Sequence, residues 1–237
     1  MNIIEEYSKF SGLKANRDKT EALWIGRDKT SSEKPSNIKW NSKGINILGI
    51  YFSHNQDEMV SENLKRKIED SEKLINIWKR RNLTLIGRIQ VVKTFIIPKF
   101  LYLSSSMVIP KNYVERIQKL IRNFIWKGNH RIKYNTLISS IENGGLNLPY
   151  LETKIYVHRI TIIKRYLCDD KPMWKGLVDF FFNNVGGLKF LLKCNYSLKN
   201  LPIMLPDFYN EMLFAWLRIL ERMMHQVHIY CLTIKTF

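Results

Sequence analysis

The feature that most constrains the fold is a set of residues at helical spacing across residues 57–128. In the first part of this stretch, six positions recur every three or four residues, which places their side chains on one face of an α-helix. They are Val60, Leu64, Ile68, Ser71, Ile75 and Trp78. The pattern predicts a long helix with one buried face, with basic residues beside that face.

Two further helices are predicted in the same stretch. Thr84 is a suitable N-cap for a helix that runs through Ile96, and Pro98 is expected to end or kink it. A third helix begins near Pro110. Its apolar stripe consists of Tyr113, Ile117, Leu120, Ile121 and Phe124. Its opposite face carries Arg116, Lys119, Arg122 and Lys127. Gly128 is a suitable residue to end this helix. Residues 57–128 are therefore expected to be helical throughout.

The flanking segments complete an α+β prediction. Residues 23–25 and 45–52 are apolar runs typical of strands, the second mostly buried. Residues 152–168 and a stripe that starts at Leu213 predict further helices. The predicted fold class is thus α+β, with a few strands followed by a mainly α-helical thumb-like part and a C-terminal helical region.

Positive charge is concentrated in one third of the chain. The net charge is +17, and residues 61–135 contribute +12 of it, with 17 Lys and Arg against 5 Asp and Glu. Such an excess on a folded segment favours one surface for a polyanion such as RNA or DNA. A basic protein without a specific partner is the alternative that composition leaves open.

Other sequence features bear on localisation and metal binding. The three cysteines are far apart, which predicts neither a disulfide framework nor a zinc site and fits a reducing compartment. The acidic start of the chain is unlike a signal peptide, and no apolar run is long enough for a membrane span. We expect an intracellular protein, nuclear or cytoplasmic, without a membrane partner.

Several strings, in this order, resemble a known family. They are FSGLKANRDKTE (10–21), ILGI (47–50), WKRRNLTLIGRI (78–89), FIW (124–126), GGLNLP (144–149) and LPDFY (205–209). Together they resemble the C-terminal part of non-LTR (LINE-type) retrotransposon reverse transcriptases, over roughly residues 10–216. The resemblance implies a C-terminal palm remnant at 1–55, a helical thumb at 56–130, and a post-thumb helical region of unclear role at 131–237.

The resemblance also assigns expected roles to individual residues. Leu48 and Gly49 fall in a motif similar to the primer-grip hairpin of the palm, and Lys19 falls in a motif whose lysine approaches the incoming nucleotide and its pyrophosphate. For Lys19, a solvated surface lysine is the simpler interpretation. The thumb candidates for template–primer backbone contacts, which would bind phosphates with strong salt dependence, are Arg80, Arg81, Arg88, Lys93 and Lys99. Trp78 and Trp126 are interpreted as core residues first and as base-stacking residues second.

Catalysis in the resembled family depends on Mg²⁺ ions held by carboxylates in two earlier palm motifs. The string YLCDD at 166–170 is not a substitute, because it has one residue too many before the acids and is expected to close a helix. We therefore expect no complete catalytic site, no metal site and no cofactor in this chain. The prediction is a truncated reverse-transcriptase fragment that binds RNA, DNA or an RNA–DNA hybrid, and that packs with the missing palm and fingers portion. An independent basic nucleic-acid-binding module and an inert transposon relic are the alternatives.

Overall fold

The chain forms two compact units, residues 1–70 and residues 71–237. The structure, a computed structural model, describes residues 2–26, 32, 34, 38–126, 133–168, 170, 172–194 and 196–234, with side chains from 3 to 222 within these ranges. Short strands in the first unit and helices in the second confirm the α+β class with a mainly helical C-terminal region. The division into palm, thumb and post-thumb regions stays a prediction.

Within its described residues, the first unit combines short strands with helices. The elements are α1 (Asn2–Ser11), β1 (Glu21–Ala22), β2 (Lys39–Trp40), β3 (Gly44–Ile47), β4 (Ile50–Ser53) and α2 (Gln56–Lys79), whose residues from 71 onward belong to the second unit. β1 pairs with β2 in parallel, and β3 pairs with β4 antiparallel. The strand predicted at 23–25 was wrong, because the pairing residues lie just before it in β1.

The single buried strand predicted at 45–52 was also wrong, because this segment is a hairpin. Leu48 and Gly49 form a two-residue turn with positive φ angles of 51° and 78°, which brings Ile47 opposite Ile50. Ile50 is buried, whereas Ile47 is exposed. The pattern missed the turn because Leu-Gly lacks the Asn or Asp that usually marks such turns. The hairpin that the resemblance implied is present.

Asn63 joins this hairpin to α2. Its side-chain oxygen accepts a hydrogen bond from the backbone nitrogen of Tyr51 at 2.8 Å, and its amide nitrogen donates to the Tyr51 carbonyl at 2.7 Å. The same nitrogen donates to the Met59 carbonyl at 2.7 Å. Asn63 is buried, so these bonds satisfy its polar atoms away from water and fix strand β4 against α2.

The helices of the second unit follow the predicted order. They are α3 (Leu85–Val91), a π-helical turn (Val92–Ile96), α4 (Ile97–Ser104), α5 (Lys111–Trp126), α6 (Tyr134–Ile138), α7 (Leu151–Leu167), α8 (Trp174–Phe182), α9 (Leu188–Leu191) and α10 (Asp207–Ile234). Thr84 caps α3 as predicted, with its hydroxyl oxygen accepting from the Gly87 nitrogen at 3.1 Å. The chain does not leave the helical path at Pro98. Instead, the π-helical turn precedes it and Pro98 occupies the first turn of α4, where a missing N–H is tolerated.

Two groups of apolar side chains form the core of the second unit. One is contributed by α3, the π-helical turn, α4 and α5, and includes Val92, Phe100 and Ile121. The other lies among α7, α8, α9 and α10, and includes Phe182. Helix α7 contacts α4, α5 and α10, so it connects the two groups.

Arg159 on α7 is a fully buried charge at this connection. Its Nε donates to Glu211 Oε2 on α10 at 2.6 Å, and its Nη2 donates to the Met107 carbonyl at 3.0 Å. Nη1 donates to the Ser104 carbonyl at the end of α4. The guanidinium carbon lies 4.1 Å from the Phe208 ring centroid. Burial lowers the pKa of Arg159, and the Glu211 carboxylate opposes that shift.

Candidate nucleic-acid interface

The basic segment of the second unit is built on helices whose apolar faces are buried. Residues 71–126 contain eleven Lys and Arg against two Glu. On α5 the buried positions include Ile117, Ile121 and Phe124, while Arg116 and Lys119 are exposed. Because burial fixes which face of each helix meets the core, these charges lie on the solvent side. The amphipathic interpretation of α5 is therefore confirmed over its described residues; Lys127 and Gly128 lie outside them.

Arg122 is the least exposed of the three described basic residues predicted on that face. Its guanidinium carbon lies 5.3 Å from the ring centroid of Tyr134 on α6. Burial raises the pKa of Tyr134 to about 12, against the opposing effect of the Arg122 charge. Tyr134 therefore stays neutral at physiological pH, and the Arg122 side chain lies beside a neutral ring.

The five predicted phosphate contacts differ in their environments. Arg80 and Arg81 follow the end of α2 and are exposed. Lys93 lies in the π-helical turn and Lys99 in α4, and both are half-buried. Long basic side chains can cover apolar surface with their stems while the charged end reaches water. These four positions are compatible with phosphate contacts, which stay a prediction.

Arg88 is held by protein carbonyls. Its Nη1 donates to the Ile125 carbonyl in the last turn of α5 at 2.9 Å, and its Nη2 donates to the Leu83 carbonyl at 3.1 Å. Carbonyls in the last turn of a helix lack partners within the helix and favour a cation nearby. Arg88 therefore fastens α3 to the end of α5, a structural role that its position in the basic string did not reveal.

Trp78 is half-buried beside exposed residues, so its interpretation as a core residue was wrong. Its ring stacks on that of Phe95, with the centroids 5.8 Å apart and an interplanar angle of 29°. The Arg81 guanidinium carbon lies 4.9 Å from the Trp78 ring centroid. Trp126 is also half-buried. Phe95 was missed as a functional candidate because it sits in an apolar string; the signal that could have found it is the Pro98 downstream, which disturbs the helix around it.

In the first unit, the residues with roles implied by the resemblance lie on its surface. Leu48 is 86% exposed at the tip of the β3–β4 hairpin, next to Gly49. Lys19 is exposed at the end of a short 3₁₀ turn (Arg17–Lys19). The Asn16 side chain caps this turn by accepting from the Lys19 nitrogen at 3.1 Å. Lys19 thus lies in a capped turn on the surface, and its role near a nucleotide stays a prediction.

The acidic string at 166–170 does end a helix, as predicted. Helix α7 ends at Leu167, and the carboxylate of Asp170 accepts a hydrogen bond from Lys175 Nζ at 3.0 Å; Asp169 lies outside the described residues. Across the described part of the chain, no three His, Cys, Asp or Glu side chains come together in a way that could hold a metal ion. The described residues therefore do not provide the cluster of acidic side chains that a magnesium site needs.

Comparison with known proteins gives one relative of interest. The chain is 26% identical over 222 residues to the "Transposon TX1 uncharacterized 149 kDa protein" of Xenopus laevis, a match that covers 90% of this chain and 17% of that protein. The chain therefore spans about a sixth of the length of this relative. No family model matches the chain. The similarity relates the chain to a transposon-encoded protein.

Among the helices in the described ranges, none combines the length and the apolar content that crossing a bilayer requires.

Proposed function

We propose that this chain is the palm-end and thumb portion of a non-LTR-type retrotransposon reverse transcriptase, and that its second unit grips a nucleic-acid template–primer. The observation that carries the proposal is the basic segment 71–126, in which nine of the eleven Lys and Arg lie on helices with buried apolar positions, while Arg80 and Arg81 directly follow the end of α2. The ordered family-like strings and the similarity to a transposon protein support it. The partner would be RNA, DNA or an RNA–DNA hybrid.

The hairpin tip of the first unit supports a contact with the primer strand. Leu48 holds a positive φ angle that is unfavourable for a leucine, and its apolar side chain is exposed. Backbone strain of this kind persists where the surrounding structure imposes it, and it is concentrated at functional sites. An exposed apolar residue beside Gly49 can contact sugar and base edges where the backbone comes close to the strand.

Helix α1 supports packing of the first unit against a further palm portion. Its apolar residues lie on the outside of the unit, and Phe10 is 86% exposed. The others on this stripe are Ile3, Ile4 and Tyr7. A contiguous exposed apolar stripe of this kind usually belongs to an interface.

The role proposed for this chain is grip and not phosphoryl transfer. The acidic motifs that hold Mg²⁺ in the resembled family precede the strings matched here, and Lys19 alone cannot position a triphosphate. Primer extension by the purified chain with magnesium and deoxynucleotides should therefore yield no product. Templated extension by this chain would overturn the restriction to grip.

A second candidate function is an independent basic module that binds nucleic acid outside a polymerase. The observation that favours it is that the second unit forms a compact unit of its own, with an apolar cluster among α7, α8, α9 and α10. A module of this kind would bind single-stranded RNA and an RNA–DNA hybrid with similar affinity. A thumb that binds a template–primer should instead bind the hybrid more tightly. An inert relic, the third interpretation, predicts no cooperative thermal unfolding.

Fluorescence anisotropy with a labelled RNA–DNA hybrid, at a series of salt concentrations, tests the proposal. Each phosphate contact is expected to contribute about 0.7–0.9 to the slope of log K against log salt. The double variant R80Q/K93Q should bind more weakly and with a smaller slope. The matched control K189Q/K193Q removes two exposed lysines of the α9 region and should leave the slope unchanged. Binding that ignores salt, or equal effects of both variants, would contradict the proposal.

A further inference from the structure

We infer that Phe95 is the open end of a stacking column, Arg81–Trp78–Phe95, on which an unpaired nucleobase of RNA or single-stranded DNA stacks. The inference deepens the proposed function and rests on it, since it assigns a second kind of contact to the same basic surface. Phe95, which is not among the proposed phosphate contacts, would thus add a contact with an unpaired base, such as one in the single-stranded part of a template–primer.

Trp78 already contacts both Arg81 and Phe95 in the protein. The Arg81 guanidinium carbon is 4.9 Å from the Trp78 ring centroid, a distance typical of a cation–π contact. Trp78 stacks on Phe95 at 5.8 Å between centroids, with the rings 29° from parallel. Arginine planes and aromatic rings are the surfaces on which proteins stack bases. A base added on Phe95 would continue a column that needs no rearrangement to form.

The π-helical turn explains why a phenylalanine is presented to solvent here. The neighbouring apolar residues Val92 and Ile96 are fully buried, whereas Phe95 is 43% exposed. An extra residue in a helical turn shifts the positions that follow it around the helix axis, and such turns are frequent at functional sites.

The charges around the column favour a nucleic acid over a peptide as the occupant. Lys79, Arg80 and Arg81 form a continuous exposed basic run directly after Trp78. A strand with a base on Phe95 could place its flanking phosphates against this run, which would combine stacking with phosphate contacts. An acidic peptide would satisfy the charges but offers few flat rings for the column.

The test uses the full chain, a single-stranded oligoribonucleotide that contains 2-aminopurine, and the variant F95L. Stacking on Phe95 should quench the 2-aminopurine fluorescence of the wild-type complex. F95L keeps an apolar side chain but removes the flat ring, so we expect the quenching to be lost. We also expect affinity to fall roughly 5- to 150-fold, since stacking on an aromatic side chain contributes that much per base. The salt slope should stay as in the wild type, because no phosphate contact changes.

Phe180 on α8 provides the matched control. It is 75% exposed and lies in the same unit, outside the basic segment. F180L should bind the oligoribonucleotide with the affinity of the wild type and quench the 2-aminopurine fluorescence to the same extent. The thermal unfolding midpoints of F95L and F180L show whether both variants fold. If F95L unfolds, ultraviolet cross-linking of the wild type replaces it, with attachment expected in the peptide that contains Phe95.

The outcomes separate this inference from the proposed function. Two results would overturn the stacking column and leave the proposed nucleic-acid grip intact. One is salt-dependent binding in which F95L and F180L have equal affinities. The other is cross-linking to peptides that do not contain Phe95. Absence of salt-dependent binding by the wild type would overturn both.

Discussion

Arg88 Nη1 donates a hydrogen bond of 2.9 Å to the carbonyl oxygen of Ile125, 37 residues further along the chain. A second bond, from Nη2 to the Leu83 carbonyl, fixes the guanidinium on its other side. The arginine thereby links the last turn of α5 to the residues that directly precede α3. Its main effect is expected in the stability of the fold.

The variant R88Q should lower the free energy of unfolding by about 1–3 kcal/mol, since it removes charge-assisted hydrogen bonds to partly buried carbonyls. Urea denaturation followed by circular dichroism measures this change. R80Q is the matched control, because Arg80 is exposed, and it should stay within about 0.5 kcal/mol of the wild type. Equal midpoints for R88Q and the wild type would contradict the structural role of Arg88.

The variant L48N should stabilise the protein while weakening its binding to an RNA–DNA hybrid. Asn tolerates the positive φ at the hairpin turn better than Leu, so the gain is expected to be up to about 1 kcal/mol. The loss of binding follows from the proposed contact of Leu48 with the primer strand. Thermal unfolding and anisotropy measure the two effects.

Leu13 supplies the control for this prediction, because it is also an exposed leucine of the first unit but has no positive φ. L13N should change neither the thermal midpoint nor the affinity. A destabilised L48N would refute the strain argument, and an unchanged affinity would refute the primer contact.

The variant E211Q should destabilise the protein strongly. Glu211 is the carboxylate partner of Arg159, whose side chain has no solvent exposure. Loss of one partner leaves a buried charge without compensation, which typically costs about 3–5 kcal/mol. Glu221 lies on the same helix and is exposed, so E221Q is the matched control. Equal unfolding free energies for the two variants would show that the ion pair between Arg159 and Glu211 does not stabilise the fold.

His158 should make stability fall in mild acid. Its Nδ1 lies 3.2 Å from Ser104 Oγ, and its pKa is lowered by burial and by the charges of Arg159 and Arg165. The folded state therefore binds this proton less well than the unfolded state, so stability is complete above about pH 6.5. It declines as the pH falls below 6.5 and levels off below the lowered pKa of the folded state.

Thermal midpoints of the wild type and H158Q, measured between pH 7.5 and pH 5, test this effect. The wild type should lose more stability over this interval than H158Q, which has no titrating group at the position. Parallel pH profiles would assign the acid sensitivity to other groups.

The long helices could be predicted from the sequence because their information is local. The stripe from Val60 through Ile75 is repeated every three or four residues, and the structure buries Leu64, Ile68 and Ser71 along it. The cap at Thr84 depends only on a residue three positions away. Periodic burial and capping are set within one or two turns, so a single sequence is enough to find them.

Short elements and the candidate site depended on contacts that a linear pattern does not contain. The Leu-Gly turn between β3 and β4 carries no usual turn signal, and the pairing of the strands decides it. The stack of Phe95 on Trp78 joins residues on different helices, and the π-helical turn determines which side of the helix Phe95 occupies. The sequence predicted a basic surface and named five candidate residues for it, but it did not show that Arg88 is held by protein carbonyls.

The sequence by itself determined the helical, positively charged character of this protein, because charge and periodicity are properties of the chain. The tertiary structure alone decided which arginines are free to meet a partner. Arg80 is exposed, while Arg88 binds the Ile125 carbonyl 37 residues away, and Arg159 binds the Glu211 carboxylate and the Ser104 carbonyl, 52 and 55 residues away. An arginine becomes structural only when folding brings such acceptors to it and removes the water that would otherwise solvate it.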